Sequence, residues 1–199
     1  MCALNILLEI PSKLEEKVNF CVKWGFHVYN SGVIVEIDET VVVRRKYERG
    51  RVTGKKDVWL FGGVERGTHG KKCFLEIIEG KRSAENSIPM IQKFILPGSI
   101  IHSDMWRSYN SIPKLPQNYY HFTVNHSENF LNPNVHTQSI ESMWSTYKRK
   151  FRPQAGNNCN TYHTYLPDFL WRKHFGDVSN VFYNFWHHVA LFYPCEHNE

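Results

Sequence analysis

Three carboxylates stand at telling places: in one predicted strand, at the end of another, and on a predicted helix. Asp38 lies in Val33-Ile34-Val35-Glu36-Ile37-Asp38, which continues after Glu39 as Thr40-Val41-Val42-Val43. Such a β-branched run predicts a strand, and acids are disfavoured in strands. Asp104 closes a second predicted strand, Ser99-Ile100-Ile101-His102-Ser103-Asp104. Glu141 belongs to His136–Phe151, where Ile140, Met143, Trp144, Tyr147 and Phe151 recur at one helical face. It sits on the edge of that stripe with Ser145, Lys148 and Arg152 at helical spacing, so an acid is followed two turns later by cations. Three converging carboxylates repel one another unless a cation lies among them. Mg²⁺ or Mn²⁺ suits an all-oxygen set, and a pair of such ions about 4 Å apart can activate a water or sugar hydroxyl and stabilise the leaving oxygen of a phosphodiester. The bland alternatives are a strand-end or edge residue for Asp38 and a solvated helix face for Glu141.

Convergence requires particular elements. The strand at 33–43 is followed by predicted strands at Val58–Val64 and Cys73–Ile78, with Glu65–Gly70 as a turn. Short links between consecutive strands imply an antiparallel meander. Ser83 reads as the N-cap of a helix containing Ile88, Ile91 and Ile95, stopped by Pro97-Gly98. A helix that leads back to a strand is a crossover, so the strand ending at Asp104 runs parallel to an earlier one. If that neighbour is the first strand, Asp38 and Asp104 meet at the C-terminal ends of parallel strands, where open sheets gather their sites. A short helix from Met105, a fifth strand Tyr120–Val124 and the helix bearing Glu141, with Thr137 as its N-cap, complete the core. Helices at Tyr162–Phe175 and Val178–Phe192 follow, separated by Gly176. We expect three units: a helical lead over 1–30, a catalytic domain over 31–175 and a helical extension over 176–199.

The 199 residues carry 24 Lys and Arg against 19 Asp and Glu, a net charge of +5, which permits a nucleic-acid partner without demanding one. The cations are clustered. Arg44, Arg45, Lys46, Arg49, Arg51, Lys55 and Lys56 form one run, predicted as a flexible hairpin loop, and Lys148–Arg152 another. Five dispersed cysteines form no C-x-x-C pair, which argues against a zinc ribbon or disulfide scaffold and for a reducing compartment. No signal peptide and no span of about 20 apolar residues is legible, so neither secretion nor a membrane is expected.

The motifs resemble those of the DDE transposases, specifically the ISXO-type domain of bacterial insertion sequences and of Merlin elements in animals. The resemblance rests on Val35-Glu36-Ile37-Asp38-Glu39-Thr40, on Pro97-Gly98-Ser99 leading to Asp104-Met105-Trp106-Arg107-Ser108-Tyr109, on Val124-Asn125-His126-Ser127, on Val135-His136-Thr137-Gln138-Ser139-Ile140-Glu141, and on Trp144 with Lys148. Thirty-six residues lie between Asp104 and Glu141. The resemblance spans roughly 33–175.

It implies an α/β, ribonuclease-H-like fold: a mixed five-stranded sheet flanked by helices, with extra C-terminal helices. It implies metal-dependent DNA strand cleavage and transfer at transposon ends, with Asp38, Asp104 and Glu141 as catalytic ligands of Mg²⁺ or Mn²⁺. Lys148 matches a family lysine and would contact phosphate near the cleaved strand. His126 and His136 match motif positions as accessory or backbone-bonding groups. Arg44, Arg45, Lys46, Lys55, Lys56, Arg107, Lys148, Arg149 and Lys150 are the expected phosphate contacts. Trp106 and Trp144 are expected in the core. The implied partners are terminal inverted repeats, target DNA and further copies of the chain, as a dimer or higher multimer. The implied location is the nucleus in a eukaryote and otherwise the cytoplasm. Family members typically carry an N-terminal DNA-recognition module, and no helix-turn-helix or cysteine cluster is legible before the first strand. The alternative is therefore a truncated, catalytically silent or domesticated transposase-derived DNA-binding or interaction protein. A third reading is another ribonuclease-H-like nuclease, acting on RNA in a hybrid or on a DNA junction.

Overall fold

A computed structural model of the chain describes residues 32–43, 58–78, 82–124, 135–151 and 162–192. The predicted helical lead, the basic run 44–56 with Arg44, Arg45, Lys46, Lys55 and Lys56, and His126 lie outside them. Five strands form one sheet: β1 (Ile34–Val43), β2 (Val58–Glu65), β3 (Cys73–Ile78), β4 (Ile100–Ser103) and β5 (Tyr120–Thr123). Their spatial order is β3-β2-β1-β4-β5. The first three pair antiparallel, while β1, β4 and β5 run parallel. Four helices follow the chain as α1 (Ala84–Phe94), α2 (Gln138–Phe151), α3 (Tyr162–Phe175) and α4 (Val181–Phe192), with a 3-10 helix at Arg107–Lys114. This meander joined to a parallel half by a helical crossover is the ribonuclease-H-like arrangement that the resemblance implied.

Alternation along β1 divides the molecule into two cores. Val35 and Ile37 point to one face, where Phe61, Phe74, Ile91, Phe94, Ile101, Tyr109 and Ile112 are all buried. Ile91 and Phe94 hold α1 there although Pro89 interrupts its backbone bonding. On the other face Leu60, Val64, Cys73 and Leu75 meet Ile140, Met143, Trp144 and Tyr147 of α2 and Leu166, Phe169 and Leu170 of α3. The apolar stripe read from the sequence is thus the buried side of α2. Trp144 is in the core as expected, and Trp106 is partly buried against the first core.

The tandem glycines of β2 let both layers approach. A Cβ on Gly62 would stand 2.8 Å from Trp144 Cη2 and 2.6 Å from Leu75 Cδ2, and one on Gly63 would strike the Phe74 ring. Gly62 is the register partner of Asp38, so the indole of Trp144 crosses the sheet where β2 has no side chain and reaches the acid beyond it.

Several boundaries, and one cap, differ from expectation. Asp104 lies one residue past β4, and its Oδ1 accepts the Trp106 N–H at 3.0 Å. That local turn ends the strand and delays the next helix from Met105 to Arg107. The last helix starts at Val181, because 178–180 form a turn in which the Val181 N–H bonds the Asp177 carbonyl at 2.7 Å. Thr137 does not cap α2 with its side chain. Its hydroxyl donates to Glu141 Oε1 at 3.0 Å, and the capping acceptor is Glu36 of β1, described below.

Candidate active site where the parallel pairing of β1 and β4 ends

The parallel register pairs Val35 with Ile101 and Glu36 with His102. Two residues further along the chain from Glu36 and from His102 stand Asp38, within β1, and Asp104, just past the end of β4. The two are electrostatically coupled: burial first, then the charges of Glu39 and Asp104, push the Asp38 carboxyl up to about 7. The backbone of Glu39 and the indole of Trp144 oppose that rise, the latter through Nε1–H donating to Asp38 Oδ2 at 3.0 Å. A carboxylate driven toward protonation by burial and by a neighbouring acid is a group that a cation would relieve.

Glu39 faces the opposite layer. Its Oε2 accepts from Arg82 Nη2 at 2.9 Å and its Oε1 from Ser87 Oγ at 3.3 Å. Burial raises its carboxyl, against the lowering by Tyr109 and Arg82. The same Arg82 nitrogen lies 3.4 Å from Asp104 Oδ2, and its guanidinium stacks 4.1 Å from the Trp106 ring centroid. Asp104 thus has one oxygen on the Trp106 amide and the other near a cation. Neither Glu39 nor Arg82 was singled out as a site residue from the sequence. The acidic pair Asp38-Glu39 was visible, but its division between two faces follows only once strand alternation is applied. Arg82 gives no sequence signal.

Glu141 occupies the first turn of α2, its N–H bonded to the Thr137 carbonyl at 3.1 Å. Its side chain is exposed and accepts from Thr137 Oγ1. Trp144, one turn further on, touches Asp38, so α2 brings Glu141 to the same end of the sheet. Its carboxylate is not grouped with the other two, and among the described residues no three His, Cys, Asp or Glu side chains form a cluster that could hold a metal ion. Asp38 and Asp104 therefore fit a hard divalent cation by donor chemistry, and Glu141 is the nearby acid on a separate element.

The start of α2 is tied to the sheet by a buried polar network. Glu36 is fully buried, and its Oε2 accepts the N–H groups of Ser139 at 2.7 Å and Ile140 at 3.2 Å. Its Oε1 takes the Ser139 hydroxyl at 3.1 Å and Arg66 Nε at 3.0 Å. Arg66 Nη2 reaches the His136 carbonyl at 2.8 Å and His102 Nδ1 at 3.0 Å. Burial, then the Arg66 charge, lowers the His102 pKa, so His102 is neutral at pH 7 and its Nδ1 can accept that bond. The His136 carbonyl thus serves Arg66, and the His136 ring Nδ1 stands 3.3 Å from Glu36 Oε1.

The candidate phosphate contacts divide. Arg107 and Arg149 are exposed, and Arg107 opens the 3-10 helix just after Asp104. Lys148 is half-buried, two turns along α2 from Glu141. Lys150 is bonded to Asp168 Oδ2 at 2.8 Å, and Asp168 also holds Arg172, so this lysine ties α2 to α3. No described helix is long and apolar enough to cross a membrane.

Comparison with known proteins places these residues in context. An uncharacterised transposase-like protein of Haemophilus influenzae is 25% identical over 109 residues, covering 55% of this chain and 86% of that protein. Among solved structures, a chain of the simian T-cell lymphotropic virus intasome in complex with a PP2A regulatory subunit gives a TM-score of 0.44 at 14% identity, over 73% of this chain and 49% of that one. The HTLV-2 integrase catalytic core domain in complex with magnesium gives 0.41 at 11% identity, over 73% and 86%. The Mos1 transposase of a pre-cleavage transpososome gives 0.31 at 13%, over 94% and 60%. The chain thus spans about half the length of the intasome chain it resembles. A family model described as the ISXO2-like transposase domain matches residues 31–174, a span that contains Asp38, Asp104, Glu141 and the network beneath them. By that match the chain belongs to the ISXO2-like transposase family.

Proposed function

We propose that this domain cuts and joins DNA strands at transposon ends with Mg²⁺ or Mn²⁺ held by Asp38, Asp104 and Glu141. The observation that carries the reading is the Asp38 carboxyl, raised to about 7 beside Asp104 where the parallel pairing of β1 with β4 gives out. When bound, divalent ions would supply a nucleophilic oxygen at neutral pH and charge stabilisation for the departing one. The chain's own contributions are positional. Trp144 fixes one Asp38 oxygen and the Trp106 amide fixes one of Asp104, and α2, which carries Glu141, is the element that would bring the third acid to them. Lys148, Arg149 and Arg107 would contact phosphates, with Arg44, Arg45, Lys46, Lys55 and Lys56 as further candidates in the sequence. Labelled inverted-repeat DNA incubated with Mg²⁺ or Mn²⁺ should be nicked. Asp104→Ala should lower the rate by about 10³-fold or more, the scale of losing an electrostatic stabiliser. Cleavage that survives the substitution contradicts the assignment.

One observation favours a second reading. Glu141 accepts from Thr137 and stands outside the carboxylate pair. A silent, transposase-derived DNA-binding protein would retain salt-sensitive binding through its cations. It would show no cleavage with either ion, and Asp104→Ala would leave its DNA affinity unchanged.

A further inference from the structure

The polar network beneath the site has a regular relation to the three acids. Glu36 precedes Asp38 by two residues on β1, His102 precedes Asp104 by two on β4, and Ser139 precedes Glu141 by two on α2. Arg66 holds Glu36 and His102, and Glu36 holds Ser139. One ion pair therefore joins the three elements that carry the candidate ligands.

Its chemistry suits alignment better than cohesion. Removing a carboxylate and a guanidinium from water is costly, and an apolar filler of similar volume is often as stabilising or more so. Such a filler has no directional bonds. Glu36 has them in full: it is completely buried, and its two oxygens accept from two successive amides of α2, a hydroxyl and a guanidinium. Both N–H groups belong to the first turn of α2, where helix donors lack intrahelical partners and the helix dipole favours an anion. An acceptor anchored on a central strand therefore fixes the height and the rotation of α2 over the sheet. Arg66 supplies a second constraint from the β2–β3 turn, through the His136 carbonyl just before the helix.

We infer that Glu36 and Arg66 are a positioning pair that sets how closely Glu141 approaches Asp38 and Asp104, and thereby how tightly the domain holds a divalent cation. The inference rests on the metal reading above and deepens it. Neither residue touches the cation. Both act through the elements they join.

The test compares Mn²⁺ affinity, read by electron paramagnetic resonance of the free ion, in the parent and in Glu36→Gln, Glu36→Asp, Arg66→Met and Arg66→Lys. A control, Ile91→Val, lies in the core on the opposite face of the sheet. All are measured at a temperature where circular dichroism shows each folded. Glu36→Gln and Arg66→Met should weaken Mn²⁺ binding about 10-fold or more, the scale seen for groups that orient ligands. Glu36→Asp, which withdraws the carboxylate by one methylene, should weaken it as well and serves if Glu36→Gln does not fold. Arg66→Lys should recover part of the loss. Ile91→Val should bind as the parent does, so a general softening is told apart from misalignment. Hydrogen exchange without metal reads the anchor alone: the Ser139 and Ile140 amides should exchange about 10-fold faster in Glu36→Gln. Folded variants that bind Mn²⁺ within about 2-fold of the parent overturn the inference while leaving the metal reading intact. Unchanged exchange at Ser139 and Ile140 overturns it as well, whatever the parent binds. A parent that binds no Mn²⁺ removes the metal reading and this inference together.

Discussion

Asp38→Asn should melt at a higher temperature than the parent at pH 8 without divalent ions. The Asp38 carboxyl is raised from 3.8 to about 7, by burial first and then by Glu39 and Asp104. A carboxyl whose folded pKa is raised contributes stability that is fully present below its ordinary value and is lost as pH rises through 7. At about 1.4 kcal/mol per unit, ionised Asp38 costs the fold up to about 4 kcal/mol, less what solvent at its partly exposed edge screens away. Asparagine removes the charge and keeps an oxygen for the Trp144 indole. At roughly 2–4 °C per kcal/mol for a chain of this size, the variant should gain on the order of 5–10 °C. The gain should vanish by about pH 4, where the parent carboxyl is protonated. Histidines whose pKa values are lowered by burial or partial burial, His102, His121 and His174 among them, destabilise the fold as pH falls below 6.5. Parent and variant share them, so the difference between the two curves isolates Asp38. Mn²⁺ should raise the melting temperature of the parent and close the gap. Calorimetry between pH 4 and 8 checks this, and equal melting temperatures at pH 8 would mean that Asp38 is not strained.

Trp144→Ala should be among the most damaging single changes in the second core. The side chain is buried at 4% exposure against Leu75 and the strand at Gly62. Loss of a buried Trp costs about 3–5 kcal/mol, so the melting temperature should fall by roughly 10 °C or more. Trp144→Phe separates two contributions. It keeps much of the apolar contact but removes the Nε1–H that donates to Asp38 Oδ2 at 3.0 Å. That donor favours the ionised acid, so its loss should push the Asp38 carboxyl higher still. The deficit of Trp144→Phe should therefore be larger at pH 8 than at pH 5. Chemical denaturation at the two pH values measures it, and a deficit independent of pH would place Trp144 in the core and nowhere else.

Much of this architecture was legible because local signals agreed. The β-branched run at 34–43, the turn residues at 66–70 and the apolar stripe from Ile140 to Tyr147 each have one period and one interpretation, and the structure follows them. The helical crossover implied that β4 runs parallel to an earlier strand, and the structure identifies that strand as β1. What stayed hidden depends on contacts between distant residues. Glu36 reads as one more strand residue, and nothing nearby in sequence marks it as the acceptor for amides 103 and 104 positions away. Thr137 was the better local candidate for a cap, and it bonds Glu141 instead. Arg66 lies in a turn and Arg82 shortly before α1, and both look solvated in the sequence, yet each bridges a buried acid and a second element. Lys150 looked like a phosphate contact on its helix, and its partner Asp168 belongs to the next one.

The most direct measurement is anomalous diffraction from crystals of this domain soaked in Mn²⁺. The account predicts manganese density between the carboxylates of Asp38 and Asp104, with Glu141 released from Thr137 and turned onto the metal. Crystals that diffract well and show no manganese at that position, or manganese there with Glu141 still bonded to Thr137, would contradict the three-acid site.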